Sequence, residues 1–310
     1  MRPVYLVVPL VLGTGIGAAC GGFFGDCGWH HDTLDLGVED DLHAVTYVQT
    51  QFESGFVAVG ADGVIVESLG GSPEVHRPVA VDLHGVAIVD DEVMAVGDHG
   101  TLVRRPLDGS TDWEVVGLGV TGDLRAIFVD LDGTVFVVGD NVLLFREQET
   151  DLWTAPPAPK GGWGELRAGS FASAYPVDIV YAVGRHGVAW STRTRFWMAE
   201  DLGTDVDLLA AAGNHIVGAN GFSRLFDELS PWSVPGGGVD LIAVAGHDEA
   251  IVLTADGRVL VEMPEFEEAA ALGDGVTALA GGGYSEEPLI FIVGKAGKAV
   301  KVTYTDCSFG

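Results

Sequence analysis

The sequence predicts an all-β protein built as a ring of small sheets, and three observations carry that reading. A unit opening Leu-x-small, with Val in place of Leu in the last copy, recurs seven times at steps of 41, 41, 42, 42, 33 and 35 residues. Inside the units an apolar run ends in Val-Gly and a Gly-closed tight turn follows, while stretches of helical period are missing. Repeats of about forty residues filled with strand-length apolar segments define propeller blades. The expected fold is therefore a seven-bladed β-propeller of four-stranded blades.

Residues 1–19, MRPVYLVVPLVLGTGIGAA, read as a signal peptide: Arg2 supplies the basic start, Val4 to Leu12 the apolar run, and small residues the end. The run is shorter than the about 20 apolar residues of a membrane-spanning helix. Gly17-Ala18-Ala19-Cys20 resembles a bacterial lipobox, which implies that Cys20 is the lipidated first residue of the exported chain, with residues 20–28 as a tether. Gly17 stands where leucine is usual, and plain cleavage after Ala19 is the alternative. The expected location is the outer membrane or cell surface as a lipoprotein, otherwise the periplasm or the medium.

The propeller itself is expected over residues 29–307. Leu42-His43-Ala44, Leu83-His84-Gly85, Leu124-Arg125-Ala126, Leu166-Arg167-Ala168, Leu208-Leu209-Ala210, Leu241-Ile242-Ala243 and Val276-Thr277-Ala278 open the inner strands. Inner strands converge on the axis, so a small third residue relieves crowding. Val59-Gly60, Val96-Gly97, Val138-Gly139, Val183-Gly184, Val217-Gly218 and Val293-Gly294 close the second strands. Runs such as GFVAVG are apolar throughout because both faces of a blade pack on neighbours. Turns such as Asp98-His99-Gly100, Ala219-Asn220-Gly221 and Ala255-Asp256-Gly257 suit two-residue hairpins whose central positions both take positive φ. Trp113, Trp153, Trp197 and Trp232 then open the outer strands, each indole burying on the order of 200 Å² between blades.

The seventh unit has strand segments at 276–280, 289–293 and 299–305 and no tryptophan after them. Residues 29–36, beginning Trp29-His30-His31-Asp32-Thr33-Leu34, supply the missing outer strand, so the two ends of the chain close the ring and remove exposed sheet edges. Cys27 then precedes that strand and Cys307 follows the third strand of the same blade. In an oxidising compartment a Cys27–Cys307 disulfide is expected, with Cys20–Cys27 as its rival if Cys20 carries no lipid.

Asp and Glu number 45 against 16 Lys and Arg, a net charge of −29. Such a surface repels nucleic acid and anionic headgroups over about 8 Å at physiological salt. Nucleic acid is excluded as a partner, the membrane is reached only through the lipid, and a monomer is expected.

Chemistry is sought on one propeller face. The residue before the repeat's first position is acidic in six units: Asp41, Asp82, Asp123, Glu165, Asp207 and Asp240. Two positions on, four consecutive units carry His43, His84, Arg125 and Arg167. Residues i and i+2 of a strand share a face, so each acid is expected to meet its base. The hairpins holding His99 and His186 open on the same side. The bland account is acid–base pairs multiplied with the unit, each contributing about 0–1 kcal/mol. The functional account is a mouth that binds an acidic or carboxylate-bearing ligand. No catalytic, metal or cofactor set is read. His30-His31-Asp32 alternate between faces, and Asp90-Asp91-Glu92 and Asp130-Leu131-Asp132-Gly133 offer too few alternate oxygen ligands for calcium.

The pattern Leu-x-Ala followed by Val-Ala-Val-Gly-x-x-Gly resembles the seven-bladed propellers of the photosystem II assembly and stability factor family, over about residues 29–305. LVRRPLDGSTDWEVV, residues 102–116, is similar to the degenerate Asp-box turns of that family and of sialidase-like propellers. The resemblance implies a scaffold or assembly helper without catalysis, here one that meets an envelope protein. The alternative is a glycan-binding or glycan-active propeller. That would require Arg and carboxylates clustered near the axis with a Tyr or Glu nucleophile, and none of the six Tyr falls on the inner-strand motif.

Overall fold

The computed structural model describes residues 28–49, 54–148, 150–174, 177–192, 196–226, 232–235, 237–246, 250–263, 265–282 and 289–305. The expected signal peptide, the expected lipid site Cys20 and the expected Cys27–Cys307 pair lie outside the described residues.

Seven antiparallel sheets form, one per unit. Blade one runs from the inside outward through Leu42–Gln49, Ser54–Gly60, Ile65–Leu69 and Glu74–His76. Each inner strand contacts the inner strands of both neighbours, which closes the circle. Blade two follows the same order and starts at Leu83–Val89; the remaining inner strands are Leu124–Val129, Leu166–Ala174, Leu208–Ala212, Leu241–Ala245 and Val276–Gly282. Blade seven is completed by Gly28–Thr33, antiparallel to Ala299–Thr305 with Gly28 opposite Thr305 and Thr33 opposite Val300. The Leu34 N–H extends the pairing to Ala299 O at 2.9 Å. The chain's front thus supplies the rim strand of its last blade, as the tryptophan pattern predicts.

Apolar side chains from facing blades make the core in successive wedges. Trp113, Trp153, Trp197 and Trp29 each pack on the cluster between their own blade and the preceding one. Outer strands are the least regular part. Five sheets have four strands and two have three among the described residues. In blade three the outer position is a single bridge, Phe145 to Thr154 beside Trp153. Trp232 of blade five lies in irregular backbone yet still packs on the core.

The hairpin chemistry follows the sequence in five blades. In Ala61–Gly63, Asp62 and Gly63 take φ of 50° and 70°, and the Val64 N–H donates to Ala61 O at 3.1 Å. His99, His186, Asn220 and Ala296 hold the same left-handed position. Blade six differs: at Ala255-Asp256-Gly257 only Gly257 has positive φ, and the Gly257 N–H donates to Thr254 O at 2.9 Å. This turn is tied down by side chains instead, with the Thr254 hydroxyl and Arg258 both bonded to Asp256.

One residue locks both the blade and its neighbour. The backbone carbonyl of the residue before each inner strand accepts an N–H from the start of its own hairpin; examples are Ala61 to Asp41 at 2.8 Å and Asp98 to Asp82 at 3.0 Å. This crossing is so close that a Cβ on Gly97 would stand 2.0 Å from Asp82 O, which explains the Val-Gly ending. The carboxylate of the same aspartate reaches the preceding blade. There the first left-handed residue of the turn has an N–H that the hairpin cannot use. Asp82, Asp123, Asp207, Asp240 and Asp41 accept these from Asp62, His99, His186, Asn220 and Ala296 at 3.0, 2.9, 3.0, 2.8 and 2.9 Å. The last of these joins blade seven to blade one.

Hydrogen bonding from the His99 N–H, helped by the Arg125 charge and working against desolvation, holds the Asp123 carboxyl below the ordinary aspartate range. A depressed folded pKa adds stability that is complete above the ordinary value and lost as pH falls through the folded one. Asp123→Asn should therefore melt below wild type at neutral pH, and the gap should close as the medium is acidified. Circular dichroism melts across that range test this, and a gap independent of pH would contradict it.

Candidate functional site

A bulge repeated seven times builds the site. In every blade the pairing of the first two strands slips between the opening residue and the small residue two positions on, from Leu42/Ala44 and Leu83/Gly85 through Val276/Ala278. The middle residue is therefore extra to the ladder. All seven extra residues, His43, His84, Arg125, Arg167, Leu209, Ile242 and Thr277, line one open cavity of about 190 Å³ where the inner strands converge. The small residue beside each makes room. Even a methyl on Gly85 would come within 3.1 Å of the Ala126 Cα in the next blade.

The ring is divided by polarity. Blades one to four contribute two histidines and two arginines; blades five to seven contribute Leu209, Ile242 and Thr277. A carbonyl can only accept, so the His43 Nδ1, 3.0 Å from Leu83 O, carries the proton. Thr277 makes the equivalent reach to Leu42 O across the closure of the ring. The His43 and His84 rings stack with centroids 5.4 Å apart. The His84 Nε2 lies 2.7 Å from Asp98 Oδ1 and 2.9 Å from Arg125 Nη1, so it can donate to the first or accept from the second.

The two arginines differ sharply. Arg125 sits among three carboxylates, Asp123 at 2.9 Å, Asp140 at 3.0 Å and Asp98 at 3.7 Å. Burial opposes its charge, but the Asp140 hydrogen bond and the surrounding acids outweigh that and raise its pKa. Arg167 has a single carboxylate contact among the described residues, Glu165 at 3.4 Å, and Glu165 is held more closely by Arg185 at 3.0 Å. The cause is local. At the junction of blades three and four, Asn141 replaces the usual aspartate clasp: its N–H donates to Gly164 O and its side-chain oxygen accepts from the Trp163 N–H, each at 2.8 Å. Glu165 therefore makes no clasp and turns to the arginines.

The expected acid–base pairing along each strand holds for Arg125 with Asp123 and Arg167 with Glu165 but fails for the histidines. Asp41 and Asp82 are engaged with the neighbouring hairpins, and the bulge turns His43 and His84 into the cavity. His99 and His186 stand apart from these four. They occupy left-handed turn positions, are exposed, and do not line the cavity. Leu209, Ile242 and Thr277 escaped the search because it looked for charge. Their signal was positional, being the middle residue of the same Leu-x-small motif. Tyr and Glu are absent from the described cavity lining. Among the described residues no group of three or more His, Cys, Asp or Glu is placed to hold a metal ion.

Ring, bulges and closure define the class: a seven-bladed β-propeller with a channel-mouth cavity. Solved structures agree at the level of fold. YCF48 bound to D1 peptide superposes with a TM-score of 0.62 at 14% identity, covering 93% of this chain and 98% of that one. YCF48 from Cyanidioschyzon merolae gives 0.64 at 14%, covering 90% and 99%. The WD40 β-propeller domain of Doa1 gives 0.65 at 12%, covering 91% and 98%. The resemblance to the photosystem II assembly factor propellers thus holds for repeat and fold. No protein-family model and no curated protein sequence matches the chain.

Unequal pairing of the arginines has a measurable consequence. Arg125→Ala should lower the unfolding free energy by about 1–3 kcal/mol, because it strips charged hydrogen bonds from two partly buried acids. Arg167→Ala should stay within about 0.5 kcal/mol of wild type. Urea denaturation separates the two, and equal losses would refute the assignment.

Proposed function

We propose that this protein is a non-catalytic interaction scaffold, exported and held to the bacterial envelope by lipid on Cys20, that takes a carboxylate-bearing segment of an envelope protein into its channel mouth. The observation that carries the reading is the convergence of His43, His84, Arg125 and Arg167 on one open cavity in a chain of net charge −29. Arg125 also serves the acids around it, whereas Arg167 has one loose carboxylate contact among the described residues. Arg125 and Arg167 are two of the chain's 16 Lys and Arg, and they stand with two histidines on four consecutive blades. Similar folds support a binding role, since one was solved with a peptide bound and another is a WD40 domain.

Long-range and short-range electrostatics oppose each other here. The acidic surface repels an acidic partner over roughly a Debye length of about 8 Å, whereas contact with a guanidinium is local and charge-assisted. Moderate salt should therefore relieve the repulsion more than it weakens the contact.

Partner recovery from envelope extracts tests the reading. Arg167→Ala should recover markedly less partner than wild type, with unchanged melting behaviour. Equal recovery would remove the mouth as the binding site. The anchor is tested separately: Cys20→Ser should move the protein from the membrane pellet to the soluble fraction. Retention in the pellet would show that lipid on Cys20 is not what holds it.

A further inference from the structure

The division of the ring into a basic and an apolar half specifies more than a carboxylate. Resting on the proposed function, we infer that the mouth reads an extended acid-x-apolar segment of a partner polypeptide, with an Asp or Glu side chain on Arg167 and a Leu- or Ile-sized side chain, two residues along, on Leu209 and Ile242.

Availability selects Arg167 among the basic residues. Arg125 is held by Asp123 and Asp140, at 2.9 and 3.0 Å, with Asp98 at 3.7 Å, and His84 is engaged between Asp98 and Arg125. His43 has its Nδ1 proton on Leu83 O. Arg167 keeps one loose carboxylate contact among the described residues, to Glu165 at 3.4 Å, and Glu165 is itself held more closely by Arg185 at 3.0 Å. A carboxylate entering the mouth would give this guanidinium the closer, charge-assisted partner that Arg125 already has.

Position selects the second feature. Arg167 is the last basic residue of the ring, and the next blade presents Leu209, followed by Ile242. All three are partly exposed within the cavity rather than sealed in the core. The strands carrying Arg167 and Leu209, Leu166–Ala174 and Leu208–Ala212, approach within 8 Å between Cα atoms. In an extended peptide, side chains i and i+2 share a face and stand about 6.6 Å apart, whereas i and i+1 point to opposite faces. An acid and an apolar group two positions apart therefore match the ring, and adjacent ones do not. The cavity of about 190 Å³ admits two such side chains from a backbone lying across the mouth, not a folded element. The surrounding charge of −29 disfavours further acids in the same segment.

Fluorescence anisotropy with the full chain tests this, using termini-blocked, labelled peptides of neutral flanks that carry Glu-Ser-Leu. Replacing the peptide's Glu by Gln, its Leu by Ser, or the order by Glu-Leu-Ser should each weaken binding by about tenfold or more. Arg167→Gln should abolish the difference between Glu and Gln peptides. Leu209→Ser and, independently, Ile242→Ser should shrink the difference between Leu and Ser peptides. Lys160→Ala, an exposed charge away from the ring, should bind as wild type. If Glu peptides bind regardless of Leu or of its spacing, this inference falls while the carboxylate site stands. If only peptides with a free C-terminus bind, the side-chain reading is wrong. If no acidic peptide binds, the proposed function itself fails.

Discussion

The aspartate before five of the seven inner strands is the interaction on which the rest depends. Its carbonyl fastens the hairpin of its own blade and its carboxylate fastens the hairpin of the blade before, so a single residue type sets both the internal geometry and the angle between neighbours. Five junctions use it, including the one that joins last blade to first. Left-handed φ is uncommon outside glycine, but Asp, Asn and His take it more readily, and they supply four of these five turns. The carboxylate secures each turn by using the N–H that it leaves over. Part of the protein's acidity is therefore architecture rather than a recognition surface.

The bulged residues stand outside the strand ladder. They project inward because the ladder has no place for them. Their chemistry is free to vary from blade to blade while Leu and the small residue stay fixed. That separation makes the mouth the one part of the repeat where composition changes sharply, from His and Arg to Leu, Ile and Thr. The exception at the third junction sharpens the point. Where Asn141 supplies the clasp, Glu165 is spared, and the arginine that shares it is left the least satisfied of the ring.

Much of this was legible in the chain. The seven units, the positive-φ turns in five of them, the apolar second strands and the N-terminal closing strand all rest on local signals repeated at fixed offsets. Trp29 in particular could be placed in blade seven because Val276 onward lacked its own tryptophan. Two things were not legible. A bulge adds a residue to the strand without changing composition: the long arginines still reach Asp123 and Glu165 across it, whereas His43 turns to Leu83 O and His84 to Asp98. Outer strands are held by few ladder bonds, and tryptophan can fill the interblade wedge without a strand around it, as at Trp153 and Trp232. The basic residues were found by charge, whereas the apolar half of the ring needed the three-dimensional position of the repeat's middle residue.

Closure by Gly28–Thr33 also fixes the order of events in biogenesis. The first strand to emerge has no sheet to join until Ala299–Thr305 has been made, a separation spanning nearly the whole chain. Contacts so distant in sequence slow folding and leave partly built rings with open edges. Vectorial synthesis would therefore deliver six provisional blades and a waiting N-terminal strand. The circle would snap shut only when the final segment had been made.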